Sequence, residues 1–243
     1  MKTIIKKLFN LVGLHICKLN PTSSHGYQTV QTLKAHDINV LFDVGANIGQ
    51  FVSELRMYGY TGKIISFEPL PQAYESLTLQ AGQDANWIVH SRCAVGASIG
   101  EIEMNVSRNL VSSSILPMLS VHENAAPESR YTHTEQVPLI TLDSVLEEYT
   151  SLSDNVFIKI DTQGYEWAVL DGASQALKQS KGLLLELSLV RLYDGQRLWT
   201  DYIERLKEVG MSLYSIQPGF SEPKTGQTLQ VDGIFFKKNA KFD

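Results

Sequence analysis

Two carboxylates stand where a small, positively charged ligand could be held between them. Asp43 opens the turn Asp43-Val44-Gly45-Ala46-Asn47-Ile48-Gly49, directly after the apolar run Val40-Leu41-Phe42. Glu68 ends a second apolar run, Ile64-Ile65-Ser66-Phe67, and lies 25 positions after Asp43. In open parallel sheets, ligands bind beyond the carboxyl ends of the strands, and an acidic residue about 20 positions after the first turn is placed to accept hydrogen bonds from ribose hydroxyls. Gly45 would allow close backbone approach to a ligand, and Gly49 would let the following helix pack near the strand.

The turn is not the G-x-G-x-x-G fingerprint, because the middle glycine is missing and a carboxylate stands immediately ahead. A pyrophosphate wants free backbone N–H groups and no neighbouring anion. An adenosyl donor carrying an ammonium and a sulfonium makes the opposite demand, and Asp43 suits it, directly or through water. These residues therefore point to S-adenosylmethionine (SAM) rather than a nicotinamide dinucleotide.

The elements that must position these groups alternate in type. Strands are expected over residues 39–43, 63–67, 86–95, 156–160 and 182–187, and helices over 48–58, 71–79, 142–149, 165–177 and 199–209. The spacing is that of strand–helix–strand crossovers. No helix fits between residues 212–217 and 230–237, so these two strands should pair antiparallel. An insert at residues 96–138 breaks the rhythm, with a strand expected over 101–106, loop chemistry at Ser112-Ser113-Ser114, and regular structure resuming over 136–141. The expected organisation is an N-terminal extension, residues 1–24, and one domain, residues 25–243, carrying that insert. Ile4, Ile5, Leu8, Leu11, Val12, His15, Ile16 and Leu19 share one helical face, suited to packing on the domain or on a second copy. Lys2, Lys6 and Lys7 leave membrane-surface contact as an alternative.

The 243-residue chain carries a net charge of −5, which argues against a nucleic-acid partner. Its two cysteines, Cys17 and Cys93, form no metal-ligand spacing and no disulfide framework, so a cytoplasmic location is expected. No His/Asp/Glu spacing resembles a metal cage, and no metal is expected.

Taken with Ile158-Lys159-Ile160-Asp161-Thr162-Gln163-Gly164-Tyr165-Glu166, Leu185-Glu186-Leu187-Ser188-Leu189 and Leu229-Gln230-Val231-Asp232-Gly233-Ile234-Phe235, the chain resembles the FkbM-type methyltransferases. The resemblance spans roughly residues 40–237. It implies an α/β class I methyltransferase fold, a Rossmann-like, mostly parallel sheet with an antiparallel final strand, using SAM to methylate a hydroxyl oxygen on a sugar, glycan or natural product. Many relatives carry glutamate where this chain has Gln163, so a mechanism built on paired carboxylates or a metal there is not expected. The residues expected to hold the donor are Asp43, Gly45, Ala46, Asn47, Gly49, Phe51, Glu68, Pro69, Ala94 and Asp161.

Deprotonation of a hydroxyl calls for a positioned base. Asp161, at the carboxyl end of its strand, is the first candidate, with Lys159 near enough to hold it ionised or to form a structural pair. Glu186 is comparable, because a carboxylate in an apolar strand is costly unless it bonds something. Glu166 and Asp232 are weaker candidates. His133 and His122 lie in the insert and would serve if it folds over the donor. Arg191, Tyr193 and Arg197 follow the Glu186 strand and are candidates for lining the acceptor pocket. Two other readings compete: a catalytically idle donor-fold binding protein, and an NAD-linked oxidoreductase, which the missing glycine weighs against.

Overall fold

A computed structural model describes residues 9–11, 13–14 and 17–238. The expected N-terminal helical face falls mostly outside the described residues. The first helix, α1 (His25–Ala35), is one the hydrophobic pattern does not announce. Gly26, Thr29 and Thr32 are on its buried face, which blurs the apolar stripe, and its start is fixed by the Ser24 side chain accepting from the Tyr27 N–H. A Cβ at Gly26 would meet the end of the exposed Glu54 side chain, which would have to move aside.

The alternating pattern then runs β1 (Val40–Val44), α2 (Gln50–Met57), β2 (Lys63–Phe67), α3 (Pro71–Ala81) and β3 (Trp87–Val89). The single strand expected over residues 86–95 is two. After β3 the chain bends away, and β4 (Ala94–Val95) joins a second sheet. The insert is more regular than loop chemistry implied. It forms β5 (Gly100–Ser107), the short helix α4 (Ser120–Ala125) and the long β6 (Tyr131–Ile140). β6 pairs antiparallel with β5 and parallel with β4, giving a three-stranded sheet. Met104, Val106, Val137 and Leu139 of that sheet bury themselves against Leu70, Ala73 and Ala94.

After a single helical turn, α5 (Leu146–Tyr149), come β7 (Val156–Ile160), α6 (Glu166–Asp171), α7 (Ser174–Gln179), β8 (Gly182–Ser188), α8 (Trp199–Glu208), β9 (Met211–Pro218) and β10 (Gln230–Lys237). One helix was expected over residues 165–177, but it is broken at Gly172. A Cβ at that position would fall 2.0 Å from the Gly96 carbonyl oxygen, so the chain must bend where it crosses the insert's root. The Asp143 carboxylate then caps α7, accepting from the Gln175 and Ala176 N–H groups at 2.8–2.9 Å.

The main sheet has the order β3-β2-β1-β7-β8-β10-β9, parallel except for β10, which runs antiparallel to both neighbours. Side chains alternate between two buried faces. Phe42, Ile65, Ile158 and Leu185 enter one cluster, and Leu41, Ile64, Phe157 and Leu184 the other. Register decides what gathers at the sheet's rim. Val44 pairs with Phe67 and Ile160, and Ile160 with Leu185. Gly45, Glu68, Asp161 and Glu186 therefore form one row just beyond these tips, and Asp232 of β10 sits opposite Glu186. Among the described residues, no helix is long and apolar enough to cross a membrane.

Candidate active site

One row inside the rim, Asp43 pairs in register with Ser66 on one side and Lys159 on the other. Paired positions share a face, and the three side chains meet there. Lys159 Nζ lies 3.1 Å from Asp43 Oδ1, and the Ser66 hydroxyl donates to Asp43 Oδ2 at 3.1 Å. Asp43 is fully buried, Lys159 nearly so, and the Phe51 ring lies 5.6 Å from the ammonium. The nearby carboxylates hold the lysine charged despite its burial, raising its pKa. Lys159 also donates to the Gly45 carbonyl at 2.8 Å and approaches Asp161 at 3.7 Å. Asp43 is thus turned into the protein toward Lys159 and Ser66 and is not among the residues lining the cavity above it.

The turn itself is closed in on its own backbone. Gly45 and Ala46 N–H groups donate to the Phe67 carbonyl, Asn47 N–H to Glu68 Oε2, Ile48 N–H to Asn47 Oδ1, and Gly49 N–H to the Ala46 carbonyl. Every amide from 45 to 49 is committed, so no set of free N–H groups faces an anion. Gly45 has φ +75°, and a Cβ there would lie 1.8 Å from the Asp161 carbonyl oxygen. Its smallness lets β7 approach the turn this closely. Gly49, at φ +91°, clears the Trp87 ring.

Above the turn is a cavity of about 650 Å³, counting its open mouth. Of the residues expected to hold the donor, Gly45, Asn47, Glu68, Pro69, Ala94 and Asp161 line it, while Asp43, Ala46, Gly49 and Phe51 lie behind it. Its apolar walls include Leu70, Met104, Leu110 and Ile115, three of them from the insert. Sequence reading missed those three because only the folding of the insert brings them over the sheet. Among the described residues lining the cavity, Glu68 and Asp161 are the charged ones, with no lysine or arginine. Glu68 accepts from the Asn47 and Leu70 N–H groups at 2.8 and 2.9 Å. Burial outweighs these bonds and raises its carboxyl to about 7. An acidic, amide-poor cavity with an apolar wall fits an adenosyl cation and disfavours a pyrophosphate.

Around Asp161 the remaining acidic groups take different roles. Glu166 is buried under its own turn, accepting from the Thr162 and Gly164 N–H groups, and burial raises it to about 7. Asp232 is likewise raised to about 7, by burial and then by the Asp161 charge. Glu186 lies outside the donor cavity but shares a hydrogen-bond donor with Asp161. The Gln163 Nε2 is 2.9 Å from Asp161 Oδ1 and 3.1–3.2 Å from the two Glu186 oxygens. Asp161 keeps 38% of its side chain exposed, the open carboxylate of the group.

The histidines do not join this site. His133 sits exposed on β6, bonded to Thr132 and Glu135, and does not line the cavity. His122 is packed edge-on against Tyr193 and near Phe220, and burial lowers its pKa to about 4. Tyr193 is fully buried, Arg191 bonds the Gln196 carbonyl, and Arg197 lies over the Trp167 ring. Ser112, Ser113 and Ser114 are all buried and knit the insert together. No cluster of described His, Cys, Asp or Glu side chains has metal-holding geometry.

Sheet order, single antiparallel strand and acidic cavity together define a class I SAM-dependent methyltransferase. A profile described as the methyltransferase FkbM domain matches residues 43–213, and the chain belongs to that family. A hexuronic acid methyltransferase of Haloferax volcanii is 23% identical over 154 residues, 63% of this chain and 58% of that protein, so the match spans less than two thirds of the relative's length. Methyltransferase 1 of Beauveria bassiana is 24% identical over 199 residues, 77% of this chain and 78% of that protein. Among solved structures, a proposed methyltransferase from Thermobifida fusca YX superposes with a TM-score of 0.50 at 10% identity, covering 88% of this chain and 79% of that one.

Proposed function

We propose that this methyltransferase acts on a hydroxyl oxygen of a sugar or glycan, with Asp161 accepting the hydroxyl proton. The observation that carries the reading is the position of Asp161. It is the one charged group bordering the donor cavity that stays substantially open, at the rim between Glu68 and Glu186. Glu68 would hold the ribose hydroxyls, and Leu70, Ala94, Met104 and Ile115 would flank the adenine. Bound SAM supplies an electrophilic methyl group and leaves as a neutral thioether. The protein must then supply alignment, exclusion of water and a proton acceptor. Asp43 acts at one remove, holding Lys159 against the Gly45 carbonyl. The similarity to the hexuronic acid methyltransferase of Haloferax volcanii supports a sugar acceptor.

The test is transfer from methyl-¹³C SAM to a panel of hexuronic acid glycosides and neutral hexosides, with products read by NMR. The reading predicts a methyl signal bonded to oxygen on a ring hydroxyl. Label appearing on nitrogen, carbon or a carboxyl ester would sink it.

A further inference from the structure

Gln163 is held in a conformation that a glutamine has no intrinsic reason to take. Its backbone is at φ +55°, in the left-handed region, and such strain persists only where its surroundings over-determine it. The surroundings are specific. The Ser114 hydroxyl, from the insert, donates to the Gln163 carbonyl at 2.6 Å. The Tyr193 hydroxyl, from the loop after β8, donates to Gln163 Oε1 at 2.9 Å. Next to it, Gly164 at φ +98° has no room for a side chain, because a Cβ would come within 2.9 Å of the Tyr193 ring.

These contacts fix which way the amide points. Tyr193 is buried and its hydroxyl stays protonated, its pKa pushed well up by burial and then by Glu186. With its oxygen on the Tyr193 hydroxyl and its NH₂ on the two carboxyl groups, the amide leaves none of its polar atoms without a partner, while the Tyr193 hydroxyl also lies 3.3 Å from the Ser112 carbonyl. One N–H then goes to Asp161 and the other to the two oxygens of Glu186. Burial and then the Asp161 charge push the Glu186 carboxyl well above the usual carboxylate range, and the Gln163 amide opposes that rise. The ionisable groups around the bridge are Lys159 of β7 and Asp161 just beyond it, Glu166 of α6, Glu186 of β8, Asp232 of β10, Asp43 of β1, Tyr131 of β6 and Tyr193.

We propose that Gln163 is a positioning residue for methyl transfer, whose amide, aimed by Tyr193 and anchored by Ser114, holds Asp161 toward the donor cavity and separates it from Glu186. This rests on the reading of Asp161 as the proton acceptor. It makes the insert and the loop after β8 part of the catalytic assembly, because each contributes one of the bonds that set the bridge. Hydrogen bonds to a carboxylate favour its charged form, so loss of the bridge raises the acids.

The test compares wild type with Gln163→Leu and Tyr193→Phe. The Glu186 carboxyl is followed by ¹³C NMR titration of the donor-free protein, and the pH dependence of kcat and the donor KM are measured beside it. Gln163→Leu should raise the Glu186 midpoint by about one pH unit and move the acid limb of kcat upward. It should also lower kcat about tenfold to a hundredfold. Tyr193→Phe, which keeps the packing and removes only the aiming hydroxyl, should shift both in the same direction by less. Unmoved Glu186 midpoints in both variants would overturn the proposal, as would a kcat loss that is equal at every pH. Asp161→Asn serves as the control beneath it: full activity there removes the proton-acceptor reading, and Gln163's role in transfer with it, even if the NMR shifts occur.

Discussion

The donor side and the acceptor side of this site are built in opposite ways. On the donor side, the turn after β1 bonds to itself and to the end of the next strand: five consecutive amides find partners within the turn, Phe67 or Glu68, and the buried Asp43–Lys159 pair closes it from below. On the acceptor side the supporting bonds come from farther along the chain. Asp161 depends on Gln163, and Gln163 depends on Ser114 from 49 residues upstream and Tyr193 from 30 residues downstream. The insert reaches both sides, since Met104, Leu110 and Ile115 wall the donor cavity while Ser114 anchors Gln163.

The sharpest way to break the donor side is to unpair its buried charge. Lys159→Met should destabilise the protein by about 3 to 5 kcal/mol, because Asp43 would be left buried without its partner. Adding Asp43→Asn should recover part of that loss, and urea unfolding reads both. An additive double variant would show that the two side chains are not coupled. Gly45→Ala comes next. With φ at +75° and a Cβ falling on the Asp161 carbonyl, it should cost about 3 kcal/mol and displace Asp161, so both donor affinity and transfer suffer.

A pH series sharpens the contrast further. Glu166 and Glu68 are raised from 4.5 to about 7, and Asp232 to about 7 from 3.8. Between the unfolded and folded values the native state binds more protons than the unfolded chain. The stability these three acids contribute is therefore full at the acid end of this window and falls as pH rises toward about 7, opposed in part by His122, whose lowered pKa works in the other direction. The thermal midpoint of the ligand-free protein should drop across that range, and Glu166→Gln should flatten the slope. A midpoint that rises instead would contradict the burial of these acids. The smallest effect is expected at His133. His133→Ala should leave transfer unchanged and alter stability by no more than about 0.5 kcal/mol, since the side chain is exposed on β6.

The same contrast explains what could be read in the sequence. Strand tips, the turn after β1 and Glu68 are neighbours in sequence or one crossover apart, and hydrophobic period and glycine placement reveal them. The antiparallel final strand follows from the missing helix before it. What escaped was set by tertiary contacts. The break at Gly172 is imposed by the Gly96 backbone, the split of residues 86–95 by recruitment of β4 into a second sheet, and the cavity walls by the folding of the insert. Asp43 was legible as a carboxylate at the turn, but its buried partner was not. The carboxylate is present at the turn, but register pairs it with Lys159 and turns it inward. His133 was a candidate on the condition that the insert folds over the donor; the insert does wall the cavity, but His133 is on an exposed position of β6.

The most direct test of the division between the two sides measures donor Kd by calorimetry and kcat by initial rates in Glu68→Gln and Asp161→Asn. Glu68→Gln should weaken SAM about tenfold and leave kcat at saturating donor within a few fold, as loss of a charged hydrogen-bond acceptor implies. Asp161→Asn should lower kcat at least about a hundredfold while SAM affinity changes far less. The reverse pattern, or equal losses of affinity and rate in both variants, would contradict a site divided between Glu68 and Asp161.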